Sequence, residues 1–431
     1  MSGALSRTKI GAVALVLAGV VSACSSSGGG SGGKQSIRFV WWGNQDRATA
    51  TQQAVALFEK QNPNIKVSTE FSSYNSYVQK LTTQIVGGGG APDVIQLDRP
   101  TFGEYVQKHA LLDLTPYVGK SLNLSDIASE LLSGEKADGD QYAIPSGQTT
   151  QMITYDSTLF AKAGVTVPAN GWTWDEFLND MRTIGAKTGT PGTTDFGWAV
   201  DWFDSWLHER GKSLYTDDGK LNFTADDLTQ FWTLTSSLAK QKGASNAQAT
   251  TKMDGSVQNS AMVLKQAASE TNYDSNLTSY ISSYNGGTVK AAPMPTDGTG
   301  PNQSGMAALP PVYYAVPKQA GHKDAAVKLI DFLVNNPDAG KILGATRGLP
   351  PNQTVRQQVC STATGGNKAV CDYETAVKDK IGPSAGWFWP AGSSAIKTDF
   401  QQVYDNVIFG KSSPSSAANQ LVSEANQSLN S

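Results

Sequence analysis

The chain has 431 residues, 39% hydrophobic and 16% charged, with 34 Lys and Arg against 37 Asp and Glu for a net charge of −3. That composition is globular and long enough for about two or three domains. No basic run of the kind that tracks a nucleic acid is present, which argues against a polyanion partner. Three scattered histidines, His109, His208 and His322, give no zinc-ligand spacing.

The first element is a targeting segment. Arg7 and Lys9 precede an apolar run from Ile10 to Ala23, followed by Cys24. A basic stretch, a short apolar stretch and a small-residue cleavage site predict a secretory signal over residues 1–23. The run is too short to span a bilayer as a mature helix. Val21-Ser22-Ala23-Cys24 resembles a bacterial lipobox, which implies cleavage before Cys24 and a diacylglycerol on its sulfur. Loss of Arg7 and Lys9 takes the side-chain charge from −3 to −5. Residues 24–35 are nearly all Ser and Gly and read as a flexible tether. No later segment is apolar enough to cross a membrane, so anchoring rests on the lipid.

From Ser36 the pattern alternates strand and helix. Ile37, Phe39 and Val40 predict a strand that ends in Trp41-Trp42-Gly43-Asn44-Gln45-Asp46. A helix over 50–61 carries Ala54, Val55, Leu57 and Phe58 on its apolar side. Asn62-Pro63-Asn64 breaks it, and 65–71 is the second strand. Val78, Leu81 and Ile85 form a helical stripe, and residues 91–98 form the third strand. The glycine run 87–90 closes a helix and leads into a strand, the reverse of a dinucleotide-binding loop. Repeated βαβ units predict a parallel sheet covered on both faces. Further on, Thr173 and Glu176 have capping-box spacing ahead of Phe177, Leu178 and Met181. Trp232 shares a helix face with Leu228 and Phe231 and reads as core.

An ordered set of weak motifs runs along the chain. Leu112-Asp-Leu-Thr-Pro-Tyr117, Gln141-Tyr-Ala-Ile-Pro145, Tyr155-Asp156 and Trp172-Thr-Trp-Asp-Glu-Phe177 come first. Ser260-Ala261-Met262, Tyr313-Tyr-Ala-Val316 with a helix over 326–333, Gly348-Leu-Pro-Pro-Asn352 and a terminal helix over 415–429 follow. Together they resemble family 1 extracellular solute-binding proteins, the carbohydrate-binding lipoproteins of ABC importers. Tyr155-Asp156 stands where the family often has Tyr-Tyr-Asn, and the stretch Val263 to Asn272 after Met262, where a ligand-stacking tryptophan is common, has none. The resemblance implies an α/β, two-lobed periplasmic-binding-protein-like fold of type II, with several hinge crossovers and a ligand cleft between the lobes. It places lobe one at 36–147 plus 305–346 and lobe two at 148–304 plus 347–431.

In open α/β sheets ligands sit beyond the carboxyl ends of strands. That singles out Trp42, Asn44, Asp46 and Arg47 after the first strand, Tyr74 and Asn75 after the second, and Asp98 and Arg99 after the third. Aromatic faces stack on sugar C–H surfaces, while carboxylates and guanidinium forks bind hydroxyls. Trp198, Trp202 and Trp206 fall at i, i+4, i+8, one helix face, with Asp201 and Asp204 between them. The resemblance implies that the loop after Phe196-Gly197 lines the cleft, which adds Trp198, Asp201 and Trp202. Gly386-Trp-Phe-Trp-Pro390 reads as an aromatic cluster exposed in a loop, and the resemblance implies sugar stacking by Trp387 or Trp389. Arg347, before Gly348-Leu-Pro, is a further donor.

Cys360 and Cys371 close a short loop, which outside the cytoplasm predicts a disulfide. The expected function is capture of a neutral sugar or oligosaccharide by a lipid-anchored, monomeric receptor on the outer face of the cell membrane. Delivery to importer permease subunits follows, with no cofactor, metal or catalytic step. The alternatives are a secreted glycoside hydrolase and a receptor for a non-sugar solute. A hydrolase needs a carboxyl pair at defined separation, and no motif singles one out among Asp46, Asp98, Asp201 and Asp204.

Overall fold

The computed structural model describes residues 34–86, 89–298, 304–382 and 389–430. The signal segment, Cys24, most of the Ser/Gly tether and Trp387 lie outside the described residues. Among the described residues no helix is long and apolar enough to cross a membrane.

The first lobe is built on β1 (Gln35–Trp42), which pairs in parallel with β2 (Ile65–Ser72) and with β3 (Val94–Leu97). A hairpin of β4 (Lys136–Ala137) and β5 (Asp140–Gln141) precedes β6 (Ala143–Pro145). Two-residue alternation divides β1 between two cores. Ile37, Phe39 and Trp41 face α1 (Gln45–Gln61), while Val40 and Trp42 face α2 (Tyr74–Val86) and α3 (Arg99–Gln107). The helix expected from residue 50 begins at Gln45, because the Asn44 side chain accepts from Arg47 N at 2.9 Å and caps it. Asn75 falls inside the first turn of α2. The short α4 (Ser129–Leu132) adds Leu131 and Leu132 to the core.

The chain then crosses to the second lobe, whose sheet has the order β8-β7-β9, all antiparallel. β7 is Gln151–Asp156, followed by α5 (Ser157–Ala163), α6 (Trp174–Thr188), α7 (Val200–Glu209), α8 (Ala225–Lys240) and α9 (Ala247–Thr250). β8 (Ser269–Tyr273), α10 (Leu277–Ser283) and β9 (Val289–Ala292) complete the sheet and its near neighbours. The expected capping box forms at Thr173, with Glu176 reaching back to Thr173 N at 2.9 Å. Trp232 is buried, as its helical spacing predicts.

β10 (Tyr313–Ala315) returns to the first sheet antiparallel to β3 and β6, giving the order β2-β1-β3-β10-β6. α11 (Lys323–Asn335) and α12 (Pro337–Leu343) then cover the α1 face, where Phe58 meets Phe332 at 5.3 Å. The chain crosses again into α13 (Gln353–Thr362), α14 (Gly365–Val377), α15 (Ser393–Ile408) and α16 (Pro414–Leu429). Cys360 on α13 and Cys371 on α14 are disulfide-bonded, with Cα atoms 5.7 Å apart.

Three crossover segments lie side by side and are laced together by backbone hydrogen bonds. Gln148 and Leu349 exchange bonds of 2.7 and 2.8 Å, and Thr149 and Leu309 exchange bonds of 2.8 and 2.9 Å. Two glycines permit this contact. A Cβ on Gly147 would lie 2.1 Å from Arg347 O, and one on Gly348, at φ +76°, would lie 2.2 Å from Gln148 O.

Candidate functional site

The lobes meet along a cleft whose first wall is the set of strand ends in lobe one. Trp42, at the end of β1, stands edge-on to Tyr74 with ring centres 5.4 Å apart. The Tyr74 hydroxyl donates to Asp98 Oδ2 at 2.7 Å. Burial, then the Asp98 charge, pushes that phenol far above its ordinary range, so it stays a donor. Asp98 also caps α3: its Oδ1 accepts from Thr101 N, and Thr101 Oγ1 reaches back to Asp98 N. One carboxylate therefore orients a helix and a phenol at the same strand end.

Arg99 crosses the cleft. Its Nη2 donates to Asp201 Oδ1 at 2.6 Å, and Nη1 lies 4.0 Å from Asp204 Oδ2. Both acids come from α7 in lobe two. The Tyr273 hydroxyl, at the end of β8, donates to Asp201 Oδ1 at 3.2 Å and lies 3.3 Å from the Arg99 fork. Burial works against the guanidinium charge, but Tyr273, Asp201 and Asp204 together hold its pKa above the ordinary arginine value. Its plane faces Trp389, with Cζ 4.8 Å from the ring centre, and Trp389 meets Tyr215 edge-on at 6.0 Å. Trp202 packs on Tyr273 at 5.2 Å. Planar rings from lobe two thus surround a carboxylate–guanidinium pair shared between the lobes. Such a set offers stacking faces together with donors and acceptors.

Other contacts also span the cleft. Asn44 Nδ2 donates to Ser279 Oγ at 3.1 Å, and Lys397 Nζ lies 5.7 Å from the Tyr74 ring. Gly103 on α3 approaches the backbone of 389–391 so closely that a Cβ would lie 2.5 Å from Trp389 O.

Trp42, Tyr74, Asp98, Arg99, Asp201, Trp202 and Trp389 are therefore brought into one cluster. Two expectations need correction. α7 begins at Val200, so Trp198 precedes the helix and only Trp202 and Trp206 share its face. Trp389 is not exposed: it is 2% accessible and packs in the lobe-two core. Asp46 is exposed in the first turn of α1. Arg47 folds back onto two carbonyls, Thr346 O at 2.9 Å and Trp42 O at 3.3 Å. Arg347 is buried towards the hinge, donating to Gln96 Oε1 at 2.9 Å and Thr51 Oγ1 at 2.7 Å. Tyr273 and Tyr215 were missed. Tyr273 ends β8, so the strand-end rule that singled out Trp42 would have found it. Tyr215 lies in a loop without a comparable signal.

The model of bacterial extracellular solute-binding proteins matches residues 42–339. A solved family 1 extracellular solute-binding protein from Alicyclobacillus acidocaldarius is 28% identical, with a TM-score of 0.67, over 93% of this chain and 99% of the other. The diacetylchitobiose-binding protein DasA of Streptomyces coelicolor is 32% identical over 123 residues, 28% of each chain. The arabinooligosaccharide-binding protein of Bacillus subtilis is 24% identical over 218 residues, 49% of each. The matched part thus spans about a quarter to a half of the length of these curated relatives. With a family match over well more than half of its length and a two-lobed fold to go with it, the chain belongs to the bacterial extracellular solute-binding protein family.

Proposed function

We propose that this protein is the substrate-binding component of an ABC importer that captures a sugar or oligosaccharide between its lobes and presents the closed form to a permease. The observation that carries this reading is the Arg99–Asp201 pair, which joins the lobes inside a ring of Trp389, Trp202 and Tyr273. A neutral sugar needs flat apolar faces and fixed donors and acceptors, and that cluster supplies both. Names of relatives that state binding of diacetylchitobiose and of arabinooligosaccharides support the same class. Trp42, Tyr74 and Asp98 act from lobe one (36–147 plus 305–346), and Asp201, Trp202 and Trp389 from lobe two (148–304 plus 347–431). Trp198 adds to the stacking surface, while Asn44, Asp46 and Arg47 line its approach. A ligand touching both lobes shifts the open–closed equilibrium because it binds the closed form better. The receptor carries out no bond cleavage, acts as a monomer, and is held at the extracytoplasmic face of the cell membrane through lipid on Cys24.

A thermal-shift screen over sugars, polyols, amino acids and peptides tests this. A ligand at a hundredfold excess over its Kd stabilises by about 2.7 kcal/mol. Stabilisation by an oligosaccharide is expected, with the response lost in Trp202→Ala and Trp389→Ala. Stabilisation by an amino acid or peptide alone, or release of reducing ends from the sugar, overturns the assignment.

A further inference from the structure

Two polar atoms at the hinge are buried without a hydrogen-bond partner: Nη2 of Arg347 and Oγ of Ser146. They belong to different crossovers. Arg347 is 3% accessible and Ser146 is 9%. Both residues line one small cavity, whose other walls include Tyr314, Leu333, Gly344 and Pro350. The remainder of the Arg347 fork is taken by neutral acceptors, the Gln96 amide oxygen and the Thr51 hydroxyl. Its carbon centre lies 5.7 Å from the Trp41 ring and 5.8 Å from the Tyr314 ring. Among the described residues no carboxylate forms an ion pair with it.

A second cation sharpens the imbalance. Among the described residues the Arg47 side chain bonds to two backbone carbonyls, Thr346 O and Trp42 O. Burial and then Arg347 itself act to lower its pKa, so the two guanidinium groups feel each other. Arginine does not shed its proton to relieve such a clash. A buried charge without a counter-charge is costly unless it is paired. A water molecule would satisfy hydrogen bonds in the cavity but leave the charge uncompensated. An anion does both.

We propose that the hinge cavity binds a single monatomic anion of the halide class, chloride in a cell, held between Arg347 Nη2 and Ser146 Oγ. The cavity has room for about one water-sized body, which excludes phosphate and sulfate. Its apolar walls favour an ion that gives up its hydration shell readily. Because the two ligands sit on different crossovers, the ion ties the first crossover to the third beside the Gln148–Leu349 bonds.

The test uses the whole secreted chain without sugar. Crystals grown with bromide are expected to show an anomalous peak between Arg347 and Ser146. In solution, Tm should rise saturably with sodium chloride or bromide over about 1 to 100 mM when gluconate keeps ionic strength constant. Ser146→Ala, a change of one hydroxyl, should move the midpoint of that rise at least about tenfold higher in chloride, a shift of about 1.4 kcal/mol in binding. Arg347→Gln should abolish it. A Tm that follows ionic strength alone, a cavity holding only water with no anomalous signal, or an unchanged midpoint in Ser146→Ala overturns the proposal. The Ser146 variant and the bromide map decide the matter even where Arg347→Gln does not fold.

Discussion

Residues of one chemical type behave differently here according to what surrounds them. Asp201 meets Arg99 and stays at the cleft wall, whereas Glu270 and Asp195 are sealed in lobe two with neutral partners. Glu270 is bonded by the Ser260 hydroxyl, and burial pushes its pKa up to about 7. Asp195 accepts from the Tyr404 hydroxyl at 2.9 Å and from Gly197 N, and burial holds it at about 6. Both folded-state values exceed the unfolded ones, so the folded chain holds more protons. Their contribution is fully present below the unfolded carboxyl value, near pH 4, and is lost as pH rises through about 6 and 7. Asp227 runs the other way. Burial alone would raise it, but the Lys212 ammonium at 2.7 Å and the Thr224 cap lower it overall, so its contribution is lost on acidification. Tm should therefore peak near about pH 4 and decline as pH rises through about 6 and 7. Glu270→Gln should flatten the upper limb in calorimetry, and an unchanged slope would contradict the account. Nothing in the spacing of Ser260 and Glu270 announces this burial. It depends on β8 being the strand that brings Glu270 inside, which only the assembled sheet decides.

At the scale of elements, patterns of two and of 3.6 residues were readable wherever one face packs. β1, β2, α1 and the Thr173 capping box stand where alternation and cap chemistry placed them, with ends moved by a few residues. Failures came where a tertiary contact sets the boundary. Ala199 offers α7 no side-chain cap, so the tryptophan spacing alone carried the helix back to Trp198. α14 starts at Gly365-Gly366 although glycine is a poor helix former. Gly366 sits against α10, where a Cβ would lie 2.7 Å from Thr278 Cγ2, and close packing outweighs the poor helix propensity of glycine. The Cys360–Cys371 bond joins α13 to α14 across this turn. Closing so short a loop is worth about 3 kcal/mol in the chain-entropy account. Replacing both cysteines by serine should lower the denaturation midpoint accordingly. A midpoint unchanged within error would show that the α13–α14 packing suffices alone.

For the whole molecule the decisive property is that two lobes share three crossovers and meet again across the cleft. The strand-end rule found the lobe-one half of the cluster because parallel strands end together. The lobe-two half depends on α7, β8 and residue 389 converging from distant parts of the chain, and no local pattern encodes that meeting. Closure therefore needs a probe that leaves each lobe intact, and Gly103 provides one. It lies in α3, where alanine is ordinarily the better helix former by up to about 1 kcal/mol, so Gly103→Ala should not destabilise lobe one. Its new methyl would nonetheless stand 2.5 Å from Trp389 O of the opposite lobe. Backbone cannot yield as a flexible side chain does, and overpacking of this kind costs about 1–3 kcal/mol. That strain falls on the closed form alone, so sugar affinity should drop roughly five- to 150-fold at 1.4 kcal/mol per decade. Tm without ligand should hold or rise, unless the free protein is itself mostly closed, in which case it falls with affinity. Small-angle scattering separates the two cases, since the ligand-free radius of gyration grows only if closure was already populated. Affinity within twofold of wild type would show that lobe two shifts to accept the methyl, and that the contact at Gly103 does not gate closure.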